Sequence, residues 1–280
     1  MNTEALRLAR SLLFQDLAVG WSLVSKFSSL SVELPTLLPG ARPFDEEFIR
    51  RQLLFSIHDL WMMCTGLARL EWMKEKAGSD AVLRDRWSSY ASLDIEEWHT
   101  QFRSLLDYVA KVIWELAERK RQVSDSFTTL WERANGTTGD PEDFAKKLGN
   151  DWLDLLKSAT WYPQIISIRD ETIHRGAQTI VLGEPSDGIL FQVLGKGGAR
   201  LAREEPNLMF NKNVVHFDRY AAYFMARLLT WLEKFASIAY SKMGMTESPG
   251  CVNRHFGFTV LVDWIDAVIA LESQRAGNPR

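Results

Sequence analysis

The feature that most constrains the fold is a heptad pattern in the middle of the chain, between Asp94 and Lys120. Apolar residues recur there at alternating spacings of three and four, at Ile95, Trp98, Phe102, Leu105, Val109, Val112 and Leu116. A pattern kept for three repeats is typical of a long helix that packs along a neighbouring helix. The sequence therefore predicts a bundle with a long antiparallel helix over about residues 94–120.

Other segments also have helical periodicity. A late stripe follows Asp218, the predicted N-cap, at Phe224, Leu228, Trp231, Phe235 and Ile238. Further helices are predicted over residues 4–30, 45–76, 150–159, 163–176 and 258–272, and another begins at Asp140-Pro141. The middle of 45–76 is apolar on nearly every side, which predicts a central position in the bundle.

Two β-like runs interrupt this pattern, at residues 179–182 and 189–193. The intervening segment 183–188 contains two glycines, a proline and an aspartate, which are strong turn signals. We expect two antiparallel strands there, forming the only sheet. The glycine-rich basic segment that follows, 195–200, is predicted to be a mobile loop.

The predicted fold class is therefore mainly α: a helical bundle of about seven helices with a small β-hairpin inserted near residues 179–193. We expect one domain over residues 1–280, with its core at about 45–243. The helices predicted at 4–30 and 258–272 are additions to that core.

Composition and charge exclude several classes of protein. Apolar and charged contents of 46% and 25% are those of an ordinary globular protein. The net charge of −3 gives no global attraction to nucleic acid, so an RNA site must be a local patch. No secretory signal or membrane-spanning segment is recognisable, which predicts a cytoplasmic protein without membrane contact. We expect Cys64 to be a buried thiol, and no metal-binding pattern or cofactor motif is present.

One short segment combines residues that suit phosphate chemistry. Arg169 is followed at once by Asp170, and His174 comes four residues after the aspartate. On a helix, Asp170 and His174 share a side, so the carboxylate can orient the imidazole. An imidazole transfers protons near neutral pH, and a guanidinium binds phosphate through two parallel hydrogen bonds.

This motif resembles the signature of the HEPN superfamily of helical bundles, in which an arginine is followed after four to six residues by a histidine. The family often has Asn, Asp or His directly after the arginine, and Asp170 fills that place. The motif resemblance covers few residues, whereas the architectural resemblance covers roughly residues 45–243. The family's motif lies in a late helix with another helix after it, and the helix predicted after Asp218 meets that expectation.

The resemblance implies a metal-independent endoribonuclease without a cofactor, acting as a toxin or defence effector. His174 would act as general base or acid on a ribose 2′-hydroxyl, Arg169 would bind the scissile phosphate, and Asp170 would orient His174. It also implies RNA as substrate, a homodimer formed through the motif helix, and an antitoxin or another defence-system protein as partner. Arg169 and His174 lie roughly 140° apart on an ideal helix, so two copies would complete one cleft.

Nearby residues modify this expectation. Arg175, Lys196 and Arg200 are candidate RNA-backbone ligands, whereas Glu171 opposes phosphate binding. Trp161 and Tyr162 are predicted to be core anchors at the entry to the motif helix, although stacking on a base is the alternative.

A second match to the motif spacing, Arg51 to His58, lies in the most apolar helix, so we expect a core or helix-face histidine there. His99 is expected to be solvated on a charged face. Two other readings of the chain remain open. In the first, the chain would be a non-catalytic HEPN-like module that binds nucleotide or a protein partner. In the second, it would be a helical protein in which Arg169 and Asp170 only form surface ion pairs.

Overall fold

The computed structural model describes residues 44–117, 126–174, 180–184, 188–244 and 264–270, with Arg7 and Phe27, and only the backbone of residues 141 and 172–174. Its α-helices are α1 (Glu46–Ala77), α2 (Ala81–Leu116), α3 (Phe127–Ala134), α4 (Pro141–Leu148), α5 (Asn150–Ser158), α6 (Tyr162–His174), α7 (Gly195–Glu204) and α8 (Phe217–Met243). The strands are β1 (Val181–Leu182), β2 (Leu190–Gln192), β3 (Met209–Asn211) and β4 (Val214–His216). A 3-10 turn, Pro206–Leu208, precedes β3, and residues 264–270 are helical. The mainly α fold is thus confirmed.

Helices α1 and α2 form a long antiparallel hairpin, which is the largest packing interface among the described elements. Asp45 caps α1 by accepting a hydrogen bond from the amide of Phe48, and Asp80 caps α2 by accepting from Val82 and Leu83. All seven residues of the predicted heptad seam in α2 are buried. The seam is confirmed, although α2 begins well before Asp94, at Ala81.

The predicted central position of α1 is wrong. Its side chains at Leu54, Phe55, Trp61 and Trp72 are 43–55% exposed, so one side of the helix faces outward. The most enclosed helix is instead α8, in which Phe224, Leu228 and Phe235 of the late stripe are fully buried. Helix α8 begins at Phe217, so Asp218, which we predicted as the N-cap, lies in the first turn.

The predicted hairpin is present, with Val181 paired to Phe191 and Leu182 to Leu190 in antiparallel register. It does not form a sheet by itself. Strand β4 pairs with β2, and β3 pairs with β4, which gives one four-stranded antiparallel sheet of order β1-β2-β4-β3 within the described chain. The Asn211 side chain accepts a hydrogen bond from the amide of Asn213 and so closes the β3–β4 turn.

The glycine-rich segment 195–200 is helical, so the prediction of a mobile loop is wrong. Its glycines let α7 approach its neighbours closely. A Cβ on Gly197 would lie 2.8 Å from the amide nitrogen of Ile168 in α6, and one on Gly198 would lie 2.8 Å from the carbonyl oxygen of Val193. Only glycine fits these two contacts, so the glycine pattern reflects helix packing.

The two predicted terminal additions are described only in part. Phe27 is helical and fully buried, with its ring 6.1 Å from that of Phe235, and the rest of the predicted helix 4–30 apart from Arg7 lies outside the described residues. Residues 264–270 of the predicted helix 258–272 are helical, and the Trp264 indole donates to the carbonyl of Asp218. None of the described helices is long and apolar enough to cross a membrane.

Candidate functional site around α6

Helix α6, which bears the motif, is fixed in the bundle by its first residues. Trp161 and Tyr162 are buried, and the Tyr162 ring packs edge-on against Phe127 at 4.8 Å. The Tyr162 hydroxyl shares a hydrogen bond of 2.6 Å with Thr128, and burial raises its pKa. The prediction that these aromatics are core anchors is confirmed, since neither side chain is accessible for stacking on a base.

The second half of α6 presents the charged motif residues at the edge of the core. The Arg169 side chain is only 12% exposed, whereas that of Asp170 is 48% exposed. Arg169 Nη1 donates to Asp170 Oδ1 at 2.8 Å. His174 ends the helix one turn after Asp170, and its side chain lies outside the described structure, as does all of Arg175.

A second arginine, which no local sequence pattern relates to the motif, joins this group from α2. Arg103 Nη1 donates to the same Asp170 oxygen at 3.3 Å, and Arg103 Nε lies 3.6 Å from Asp107 Oδ2. Asp107 also accepts a hydrogen bond of 2.8 Å from the amide of Phe127. The i, i+4 spacing of Arg103 and Asp107 was a visible signal for an ion pair. Its link to Asp170 was not visible, because the two residues are 67 positions apart.

Glu171, which opposed the prediction of a phosphate site, has a structural role. Its Oε1 atom accepts hydrogen bonds from the amide of Lys196 at 2.7 Å and from that of Gly197 at 3.3 Å. The carboxylate therefore caps the N-terminus of α7, where the helix dipole favours a negative charge. Glu171 turns its charge toward α7, where it accepts hydrogen bonds from backbone amides.

The other predicted RNA ligands lie on α7. Lys196 is exposed. Arg200 is bonded to Glu204 at 3.0 Å, and Glu204 also accepts from Gln164 of α6 at 2.8 Å. Burial alone would raise the pKa of Glu204, but the hydrogen bonds from Gln164, Arg200 and Arg203 outweigh it and lower the pKa to about 2. Arg200 thus pairs within α7, and Glu204 is the residue that links α7 to α6 through Gln164.

His99 of α2 is buried, so the prediction that it is solvated is wrong. It is 2% exposed, with Nδ1 2.8 Å from the carbonyl oxygen of Ile95 and Nε2 2.9 Å from the Tyr220 hydroxyl. The carbonyl can only accept, so Nδ1 carries the proton and Nε2 accepts from Tyr220. Burial, aided by the positive charge of Arg169, lowers the pKa of His99 to about 4. The ring is therefore neutral at physiological pH.

Two further histidine and cysteine predictions can be compared with the structure. His58 is exposed on the outer side of α1, with its ring 6.1 Å from that of Trp61, which makes it the helix-face residue of the two alternatives. Cys64 is fully buried, as predicted, and burial raises the pKa of its thiol to about 12. No group of three or more His, Cys, Asp and Glu side chains among the described residues is placed to hold a metal ion.

One groove of the described surface lies away from the motif. It lies between α1 and α2, has a volume of about 700 Å³, and is lined by Met62, Arg69, Met73, Tyr90, Leu93, Asp94, Glu96, Glu97 and Thr100. Arg69 bridges the groove by pairing with Asp94. The lining combines apolar and acidic side chains, which does not suit a polyanion.

Comparison of the chain with protein-family models, with curated proteins and with solved structures finds no match.

Proposed function

We propose that the chain is a HEPN-type endoribonuclease that cleaves RNA without a metal ion. One observation carries the proposal: Asp170 accepts hydrogen bonds from both Arg169 and Arg103, at the helix edge one turn before His174. This arrangement brings two guanidinium groups to a partly exposed surface, and His174, the predicted general base, follows one helical turn later. Arginine pairs of this kind suit a phosphodiester and the charge that develops on it.

The proposed reaction uses residues of α6 and α2. His174 takes the proton of the ribose 2′-hydroxyl, the 2′-oxygen attacks phosphorus, and the P–O5′ bond breaks as the 5′-oxygen takes a proton from the protonated His174 of the second copy. The products are a 2′,3′-cyclic phosphate and a 5′-hydroxyl. Arg169 and Arg103 bind the non-bridging oxygens, and Asp170 positions both the guanidinium groups and the imidazole one turn away.

The proposal includes a homodimer in which two motif helices face one cleft. A single helix places Arg169 and His174 roughly 140° apart, so one copy is poorly arranged to grip one phosphate. Two copies related by a two-fold axis supply two histidines and four arginines. The biological role proposed with this activity is that of a toxin or defence effector, restrained by an antitoxin or another protein of its system.

The test is cleavage of a labelled RNA in the presence of a chelator. Arg169→Ala should lower the rate about a hundredfold, an effect of about 3 kcal/mol, because the developing phosphate charge loses its main partner. Arg103→Ala should also lower it. His58→Ala is the matched control, because it removes the histidine of the other Arg-to-His match. Equal rates for wild type and Arg169→Ala would refute the assignment.

A second candidate function is supported by the charge balance of the site. Asp107 and Asp170 offset the charges of Arg103 and Arg169, so the described part of the site has no excess positive charge. This balance favours a HEPN-like module that binds nucleotide or a protein partner without cleaving RNA. Nucleotide binding that is weakened by Arg169→Ala, with no cleavage by any variant, would identify this second function.

A further inference from the structure

Helix α1 has two heptad seams, and only one of them is covered in the described structure. The inner seam, at Leu53, Leu60 and Leu67, is fully buried. The outer stripe, as we define it, consists of six residues at spacings of 4-3-4-3-4: Leu54, His58, Trp61, Thr65, Ala68 and Trp72. This spacing is the one by which two helices pack along each other.

The outer stripe is unusually apolar for an exposed surface. Leu54, Trp61 and Trp72 are 44%, 43% and 55% exposed. The stripe spans roughly 27 Å at the rise of an α-helix. Exposed tryptophans that recur at a helix-pairing period are typical of an interaction surface.

We propose that the outer stripe pairs with the outer stripe of a second copy, with the two α1 helices antiparallel. A two-fold axis at the level of Met63 places opposite each other the residues that lie equally far from Met63 in the two directions along the helix. Leu54 then faces Trp72 of the other copy, His58 faces its Ala68, and Trp61 faces its Thr65. The interface is isologous, as in most dimers. It goes beyond the proposed function and does not depend on it.

Side-chain sizes support a second copy in this orientation. The antiparallel pair has three kinds of facing residues, and two of them combine a larger side chain with a smaller one: Trp61 with Thr65, and His58 with Ala68. These unequal sizes let the two helices approach closely. A parallel pair would instead oppose Trp61 to Trp61 and Trp72 to Trp72, which separates the backbones. The Thr65 hydroxyl already donates to the carbonyl of Trp61 at 2.9 Å, so burying Thr65 in the interface leaves no hydrogen-bond donor without a partner.

Charged residues at the ends of the stripe do not determine the pairing. Arg51 of one copy lies opposite Glu75 of the other, which is favourable, but Arg50 lies opposite Lys76. These terms offset each other at exposed positions, where ion pairs contribute little. Association therefore rests on the apolar side chains, and Trp61, nearest the axis, should contribute most because it occurs twice at the centre.

The first experiment measures the mass of the full-length protein by analytical ultracentrifugation at low micromolar concentration. Wild type should be a dimer or a larger assembly, and Trp61→Glu should raise the dissociation constant about tenfold or more. Phe210→Glu is the matched control, because Phe210 is 56% exposed on β3, outside the stripe. Unchanged far-ultraviolet circular dichroism shows that the variants are folded. A wild-type monomer, or a Trp61→Glu variant with the same assembly size and dissociation constant as wild type, would overturn the proposal. A Trp61→Glu dimer that replaces a larger wild-type assembly supports it, because the motif-helix interface does not involve Trp61.

The second experiment tests the antiparallel register. In a Cys251→Ser background, the double variant His58→Cys/Ala68→Cys should form a disulfide-linked dimer under mild oxidation, because positions 58 and 68 of different copies face each other. His58→Cys alone, which has no cysteine opposite it, should link much less. Equal linking by the single and double variants contradicts the register. A monomeric wild type would indicate that another protein, or a segment outside the described residues, covers the stripe.

Discussion

The contact between α7 and α6 at Gly197 makes a specific prediction about stability. A methyl group at this position would lie 2.8 Å from the amide nitrogen of Ile168 and 2.9 Å from the carbonyl carbon of Ser167. Both atoms belong to the backbone of α6, so neither can move aside as a flexible side chain would. Overpacking of this kind costs about 1–3 kcal/mol, and the rigid neighbours place Gly197→Ala at the upper end.

Helix propensity acts in the opposite direction. Alanine is favoured over glycine in a helix by up to about 1 kcal/mol, so the net destabilisation expected for Gly197→Ala is about 2 kcal/mol. Gly66 in α1 is the matched control, because no atom lies within 4 Å of the Cβ it would gain. Gly66→Ala should therefore stabilise the protein by about 0.4–1 kcal/mol.

The measurement is urea unfolding of wild type, Gly197→Ala and Gly66→Ala, followed by tryptophan fluorescence and circular dichroism. The two variants should move the unfolding midpoint in opposite directions, with a difference in free energy of unfolding of about 3 kcal/mol between them. If Gly197→Ala is as stable as wild type, the close approach of α7 to α6 is wrong. The interpretation of the glycine-rich segment as a packing device would then be wrong as well.

Three further predictions concern the buried polar groups around α6. Glu171→Gln should lower stability by about 1 kcal/mol in thermal unfolding, because the α7 cap loses its charge, and RNA cleavage should be unaffected. Tyr220→Phe should cost about 1–3 kcal/mol in urea, because it leaves Nε2 of His99 buried without a donor. Since the pKa of His99 is lowered in the folded protein, the unfolded chain binds its proton first as the pH falls. Wild type should thus lose about 3 kcal/mol of stability between pH 6.5 and pH 4 through His99, a loss that should be absent in His99→Asn. An equal pH dependence of the two proteins would contradict the burial of His99.

The parts of the fold predicted from sequence are those set by one long, regular pattern. The heptad seam of α2 and the late stripe of α8 repeat their apolar residues many times, so a single atypical residue does not hide the period. The N-cap Asp140 is also visible locally, since its effect reaches only the next turn. Such features need no knowledge of what packs against them.

Strands β3 and β4 were missed because they are short and, unlike β1 and β2, are not separated by a segment with glycine and proline turn signals. The α7 segment was misjudged because glycine signals a loop in isolation, whereas here it marks the approach of another helix. His99 lies between Ile95 and Phe102, within a wider apolar arc of α2, and this spacing was the signal that was overlooked. Its burial depends on Tyr220, which is 121 positions away.

The candidate site was predicted in part. The sequence identified Arg169 and Asp170 because they are adjacent and lie in a late helix. It could not identify Arg103, since nothing local relates an arginine of α2 to an aspartate of α6. The structural role of Glu171 was hidden for the same reason, because its partners are the backbone amides at the start of α7.

The most direct test of the proposed ribonuclease is the chemistry of the cut ends produced by wild type and by His174→Ala. Both proteins are incubated with a short labelled RNA in the presence of a chelator, and the fragments are analysed by mass spectrometry. Wild type should produce fragments that end in a 2′,3′-cyclic phosphate, with a 5′-hydroxyl on the other side of the cut. His174→Ala, with an unchanged melting temperature, should produce none above background. Cleavage by His174→Ala at the wild-type rate, or wild-type fragments that lack the cyclic phosphate, would contradict the proposed mechanism.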